Sequence, residues 1–174
     1  MSDVYEAADA GSVTLLGLLD LSAAFDTVDH RILLDRLRHD YGFGGLVIQW
    51  IESYLTGRSQ FVRFNGVTSK TVPVTSGVPQ GSVLGPILFI SYSAEIVAII
   101  QQQGFKVHAF ADDLQIYGST AQNGAADLMA WLVCRSASST VASWMSSNRL
   151  RLNPSKTELI WLDTSRRLLQ CDGF

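Results

Sequence analysis

Cysteine, proline and charge are all scarce in this chain of 174 residues, and each scarcity excludes something. There are two cysteines, Cys134 and Cys171, far apart and without a Cys-x-x-Cys or Cys/His spacing. That argues against a disulfide framework and against a zinc site. Four prolines and 14 glycines without a period exclude collagen-like or linker-like material. Charged residues make up only 17%, whereas apolar residues make up 47%. A disordered chain lacks the apolar surface to offset its ordering entropy, so this one is expected to fold. The net charge of −3 argues against tight, autonomous binding to a phosphate backbone. The first residues, Met-Ser-Asp-Val-Tyr-Glu, have neither the basic nor the apolar region of a signal peptide, and an intracellular setting, nucleus or cytoplasm, is the expectation.

The chain offers one long apolar run, Val83 to Ile100. It contains Pro86, Tyr92 and Glu95 and follows a glycine-rich loop, which favours a buried core helix over a membrane span. Elsewhere helical and strand patterns alternate. Val13–Leu21 reads as a buried strand and Asp29–His39 as an amphipathic helix capped by Asp29. Leu46–Leu55 reads as a second helix closed by Gly57. Ser59–Phe64 and Thr71–Thr75 flank the hairpin dipeptide Asn65-Gly66. Lys106–Phe110 and Leu114–Tyr117 form a further hairpin, Ala125–Met145 a helix, and Leu150–Leu152 and Glu158–Leu162 two closing strands. Trp50, Trp131, Trp144 and Trp161 read as core aromatics. Hairpins imply antiparallel pairing, so the expected class is α+β, an antiparallel sheet with helices packed on one face.

Carboxylates stand where apolar strands would exclude them. Asp20 ends the run Leu18-Leu19, and Asp112 and Asp113 interrupt Phe110-Ala111 and Leu114-Gln115-Ile116. Such groups are costly unless paired or bound to a cation. Converging carboxylates suit Mg²⁺, which keeps ligand places for water and phosphate. A solvated aspartate turn and a strand-end cap explain the same residues. The loop Ser76-Gly77-Val78-Pro79-Gln80-Gly81-Ser82 opens a helix, where free N–H groups suit anions, and it reads equally as a plain connection.

Four segments occur in order: Leu-Asp-Leu-Ser-Ala-Ala-Phe-Asp (19–26), Ser-Gly-Val-Pro-Gln-Gly-Ser-Val-Leu-Gly-Pro (76–86), Phe-Ala-Asp-Asp (110–113) and Leu-Asn-Pro-Ser-Lys-Thr (152–157). Together they resemble the palm motifs of reverse transcriptases of LINE-type (non-long-terminal-repeat) retrotransposons, over residues 13–162. The resemblance implies a polymerase palm with a ferredoxin-like sheet, and RNA-directed DNA polymerase activity with two Mg²⁺ ions, for which Mn²⁺ can substitute. It implies an RNA template, a DNA primer and deoxynucleoside triphosphates as partners. Asp20, Asp112 and Asp113 would hold the metals, joined by the backbone carbonyl of Leu21. Ala24 and Phe25 would lie at the incoming sugar, where the Phe25 ring excludes a 2′-hydroxyl. Gln80 and Gly81 would contact the nucleotide and template base, and Lys156 the leaving pyrophosphate. His30, His39 and His108 match no catalytic position, and Arg58, Arg63, Arg149 and Arg151 are scattered candidates for phosphate contact.

The expected layout is a lead-in over 1–12, the palm over 13–165 and a tail over 166–174. The basic fingers that precede such a palm and the thumb that follows it are not recognisable, so the chain alone is expected to be incomplete as a polymerase. The alternative is a non-catalytic retrotransposon remnant with weak nucleic-acid binding.

Overall fold

The computed structural model describes residues 2–121 and 140–162. Residues 125–139 of the helix expected over Ala125–Met145, both cysteines, Trp131 and the tail lie outside the described residues. The chain divides into two compact units, one of residues 1–22 with 94–174 and one of residues 23–93.

The first unit is built on a four-stranded, wholly antiparallel sheet. Its strands are β1 (Ser12–Leu19), β6 (Lys106–Phe110), β7 (Asp113–Ala121) and β8 (Glu158–Leu162), in the order β6-β7-β1-β8. Alternation along β1 explains its central place. Val13, Leu15, Gly17 and Leu19 are buried and share a face with Leu114 and Ile116 across the ladder. The other face carries Leu16 and Leu18 opposite Tyr117 and Gln115, and is more open. Helix α6 (Thr140–Ser147) buries Val141, Trp144 and Met145, and the Trp144 indole donates to Glu95 at 2.7 Å.

A helix not read from the sequence, α1 (Ser2–Asp9), precedes the sheet. It is tied to the more open face. Asp3 Oδ2 accepts from Lys106 Nζ at 2.8 Å and from the Tyr117 hydroxyl at 3.1 Å. His108 stacks on Tyr117 with centroids 5.4 Å apart, and its Nε2 lies 2.9 Å from the same hydroxyl. The Lys106 ammonium holds the Asp3 carboxyl well below its usual range, and Asp3 raises Lys106 in return. Burial, then the bond to Asp3, pushes the Tyr117 phenol up.

The second unit holds α2 (Ala24–Thr27), α3 (His30–His39) and α4 (Gly45–Leu55). Asp29 caps α3 as expected, accepting from the amides of Arg31 and Ile32 at 2.9 and 3.1 Å. Leu33, Leu34 and Leu37 of α3 and Ile48, Ile51 and Leu55 of α4 form the buried faces. Trp50 falls off that spacing and is 57% exposed, so it is not the core aromatic expected from its type. It stacks instead on Tyr54. The expected single hairpin around Asn65-Gly66 is two nested ladders. β3 (Arg63–Phe64) pairs with β4 (Val67–Thr68), and β2 (Ser59–Gln60) pairs with β5 (Val72–Pro73). Both turn residues have positive φ, 47° and 77°, as a type I′ turn requires.

Helix α5 (Leu84–Gln102) begins in the second unit and ends in the first. By length and composition it is the one described helix apolar enough to cross a membrane. It buries Leu88, Phe89, Tyr92, Ile96 and Ile100, a stripe at helical spacing.

Candidate active site

The sequence-derived candidates fall into two groups, one in each unit. The first gathers at one end of the sheet. The β1–β7 ladder closes with Leu19 opposite Leu114, so Asp20 and Asp113 are the next residues along their strands. The β6–β7 hairpin closes with Phe110 opposite Asp113, leaving Ala111-Asp112 as a two-residue turn. Ala111 takes φ 54°, which a side chain other than glycine adopts only under strain of about 1–2 kcal/mol. The hairpin tip is therefore held in a conformation that its own sequence does not favour.

On the other edge of β1, Leu152 forms a single antiparallel bridge with Leu21, where a short strand over Leu150–Leu152 was expected. Its flanking bonds run from Asn153 N to Asp20 O and from Ser22 N to Arg151 O, both 2.8 Å. Because bonding groups alternate sides along an extended chain, Leu21 turns its own carbonyl away from this edge. The Asn153–Thr157 turn then lies against Asp20. Asn153 Nδ2 donates to Asp20 Oδ2 at 3.1 Å, and Lys156 Nζ lies 3.8 Å from the same oxygen. Asn153 Oδ1 accepts from the Ser155 amide and hydroxyl at 3.2 and 2.6 Å, which fixes the turn. Asn153 was not singled out from the sequence, although it stands inside the segment that carries Lys156.

Asp20, Asp112, Asp113 and Lys156 thus share one end of the sheet. Among the described residues, however, no group of three or more His, Cys, Asp or Glu side chains is drawn together tightly enough to hold a metal ion. The donor set itself, three carboxylates and the Leu21 backbone carbonyl, is of the hard oxygen type that suits Mg²⁺ or Mn²⁺.

The second group centres on α2 and the loop 76–82. Phe25 stacks on the buried Phe89 with centroids 4.8 Å apart and planes 27° from parallel, and is itself half-buried. Ala24 is 3% exposed, so its methyl belongs to the core. The loop is fastened to α2 and its flank. Gly77 N donates to Val28 O at 2.8 Å and Val78 N to Phe25 O at 2.9 Å. The Ser76 hydroxyl donates to Asp26 O at 2.9 Å. Gln80 Nε2 donates to Asp26 Oδ1 at 3.0 Å, so Asp26 orients the Gln80 side chain. Gly81 is exposed with φ 76°. His30, which matches no catalytic position of the family, donates from Nε2 to Gly77 O at 2.8 Å and so also fixes the loop. Neither Asp26 nor His30 carried a signal of this role beyond lying in or beside the first motif.

Residues 2–169 match a family model described as reverse transcriptase (RNA-dependent DNA polymerase). The chain is 33% identical over 154 residues to a probable RNA-directed DNA polymerase from transposon X-element of Drosophila melanogaster, covering 86% of this chain and 16% of that protein. It is 31% identical over 146 residues to the corresponding protein of transposon BS, covering 80% of this chain and 15% of that one. The chain therefore spans about a sixth of the length of these curated relatives. Among solved structures, telomerase from Candida albicans in complex with a fragment of telomeric RNA aligns at a TM-score of 0.65 and 12% identity, over 95% of this chain and 30% of that one. Apo telomerase from Candida tropicalis aligns at 0.62 and 12%, over 89% and 32%.

Proposed function

From the premise that this chain belongs to the reverse transcriptase family and has a polymerase palm fold, we propose that it serves as the nucleotidyl-transfer domain of an RNA-directed DNA polymerase of the non-long-terminal-repeat type. The observation that carries the reading is the shared sheet end: Asp20 and Asp113 are the next residues beyond the β1–β7 ladder, Asp112 lies in the adjoining hairpin turn, and Lys156 lies beside Asp20.

In this reading the carboxylates of Asp20, Asp112 and Asp113 and the Leu21 carbonyl hold divalent cations, Mg²⁺ or Mn²⁺. Such ions activate the attacking oxygen and stabilise the leaving one in phosphoryl transfer. Asn153 keeps one Asp20 oxygen oriented by its amide. Lys156 places an ammonium beside the same carboxylate, where it can meet charge developing on pyrophosphate. Phe25, backed by Phe89, offers a flat surface to the incoming sugar, with Ala24 supporting it from the core. Gln80, held by Asp26, and Gly81 serve the nucleotide and the template base.

A second reading, a non-catalytic remnant, is favoured by one observation: Asp20 Oδ2 is engaged by Asn153 and Lys156 within the chain itself. Equilibrium binding of a labelled deoxynucleoside triphosphate with and without Mg²⁺ separates the two. The polymerase reading expects Mg²⁺-dependent binding that discriminates against the ribonucleotide and loses that discrimination in Phe25→Val. Absence of metal-dependent binding, or equal binding of both sugars by the wild type, would overturn it.

A further inference from the structure

Helix α2 and the loop 76–82 are joined through one peptide plane. The carbonyl of Gly77 and the amide of Val78 belong to the same planar unit and point in opposite directions. The Val78 amide donates to Phe25 O at 2.9 Å. At the other end, the Gly77 carbonyl accepts from His30 Nε2 at 2.8 Å, and Arg58 Nη1 reaches the same oxygen at 3.4 Å. The plane is gripped at both ends, so turning it breaks the bonds at both.

Local sequence does not fix that plane. Gly77 has φ 84° and no side chain, so the peptide that follows it can rotate at little cost. Gly77 and Val78 are both buried, and a carbonyl turned loose there goes unsatisfied. The restraint comes from outside the loop. His30 opens α3 directly after the Asp29 cap, so the helix start holds its backbone in place. A carbonyl oxygen only accepts, so the imidazole carries a proton on Nε2. The bond is long-range, 47 residues apart along the chain, and ties α3 to the loop. Its effect reaches Phe25, whose own carbonyl is held by the same plane and whose ring lies against Phe89 with centroids 4.8 Å apart.

We propose that His30 is a positioning residue for sugar selection. By holding the Gly77–Val78 peptide it fixes the backbone of Phe25, and with it the ring that faces the incoming sugar. His30 itself touches no substrate. The link to sugar selection rests on the role proposed above for Phe25, whereas the clamp rests on the bonds of His30 and Val78 alone.

The test compares the purified wild type with His30→Ala, His30→Gln and His30→Glu in two measurements. Gln keeps a donor, whereas Glu has nearly the same shape and offers only acceptors. The first measurement is amide hydrogen exchange by NMR, in EDTA and without nucleotide. Exchange at the Val78 amide should quicken about tenfold in His30→Ala and His30→Glu, in line with one hydrogen bond lost to local opening. It should stay near the wild-type rate in His30→Gln. The amides of α4 should remain protected in every variant, which separates local release from failure to fold. If His30→Ala does not fold, the Gln and Glu variants decide the matter between them. The second measurement is equilibrium binding of a labelled deoxynucleoside triphosphate and its ribonucleotide with Mg²⁺. The preference for the deoxy sugar should fall toward that of Phe25→Val in His30→Ala and His30→Glu, and return in His30→Gln. Unchanged Val78 exchange in His30→Ala and His30→Glu would overturn the proposal. So would exchange as fast in His30→Gln as in His30→Glu, which would make the ring a packing group only. So would a sugar preference kept in His30→Ala and His30→Glu but lost in Phe25→Val. Equal binding of both sugars by the wild type, with Val78 exchange responding to His30 as expected, would overturn the role of Phe25 and leave the clamp standing.

Discussion

Gly77→Ala should destabilise the chain far more than Gly81→Ala, although both glycines lie in one loop with nearly the same backbone conformation. Their φ angles are 84° and 76°. An L side chain in that region costs about 1–2 kcal/mol. At Gly81 nothing lies within 4 Å of an added Cβ, so the backbone term stands alone. At Gly77 the added carbon would meet the Cα and carbonyl oxygen of Asp26, each at 2.9 Å, and the carbonyl oxygen of Phe25 at 3.0 Å. These are backbone atoms and cannot swing aside. Overpacking of this kind adds about 1–3 kcal/mol. Relief by moving the loop would stretch the bonds from Gly77 N to Val28 O and from Val78 N to Phe25 O. The total for Gly77→Ala is then about 3 kcal/mol, against about 1 kcal/mol for Gly81→Ala. For a chain of this size that corresponds to melting shifts of roughly 6–12 °C and 2–4 °C. Thermal unfolding followed by circular dichroism measures both. Equal shifts in the two variants would refute the contact between the loop and α2.

Three other outcomes follow from the geometry. Asn153→Ala removes the amide that orients Asp20 and the acceptor that fixes the Asn153–Thr157 turn, so melting should fall by a few degrees, about 1–2 kcal/mol, measured in the same way. Trp144→Ala should lose about 3–5 kcal/mol in urea unfolding, because Trp144 is 8% exposed, whereas Trp50→Ala, at 57% exposed, should change stability by less than about 0.5 kcal/mol. Asp3→Asn should speed amide hydrogen exchange in α1 while leaving the β1–β7 amides protected. The pH dependence of that protection has a defined sign. Asp3 is depressed, so its contribution is complete above its ordinary value of 3.8 and fades as pH falls below it. Lys106 is raised, so its contribution is complete below its ordinary 10.5 and fades as pH climbs beyond it.

Elements with a strong period were legible in the sequence. The apolar run from Val13, the Asp29 cap and the Asn65-Gly66 turn each reflect a local rule; the cap and the turn are found where that rule puts them, and the run is a strand that ends at Leu19 rather than Leu21. What escaped depends on distant partners. Helix α1 is short and weakly patterned, and its anchor on Lys106 and Tyr117 lies a hundred residues away along the chain. Leu150–Leu152 has strand composition but pairs at one residue only, because Leu21 lies at the end of its strand pattern. Trp50 shows that residue type alone does not place a side chain in a core. At the candidate site the carboxylates stood out because they break apolar strands. Asn153, Asp26 and His30 did not, because they act through other residues, by bonds to Asp20, Gln80 and Gly77 that no spacing in the sequence specifies.

The central claim is that the sheet end is a cation site built from Asp20, Asp112 and Asp113. Its most direct test is titration of the purified chain with Mn²⁺, with free ion followed by electron paramagnetic resonance, in the wild type and in Asp20→Asn and Asp112→Asn. Loss of a residue that only supports a metal ligand commonly lowers affinity 10- to 100-fold, so loss of a ligand itself should lower it at least tenfold. The account predicts measurable Mn²⁺ binding that falls by about that factor in each variant. Equal affinity in all three proteins, or no binding by the wild type, would contradict it.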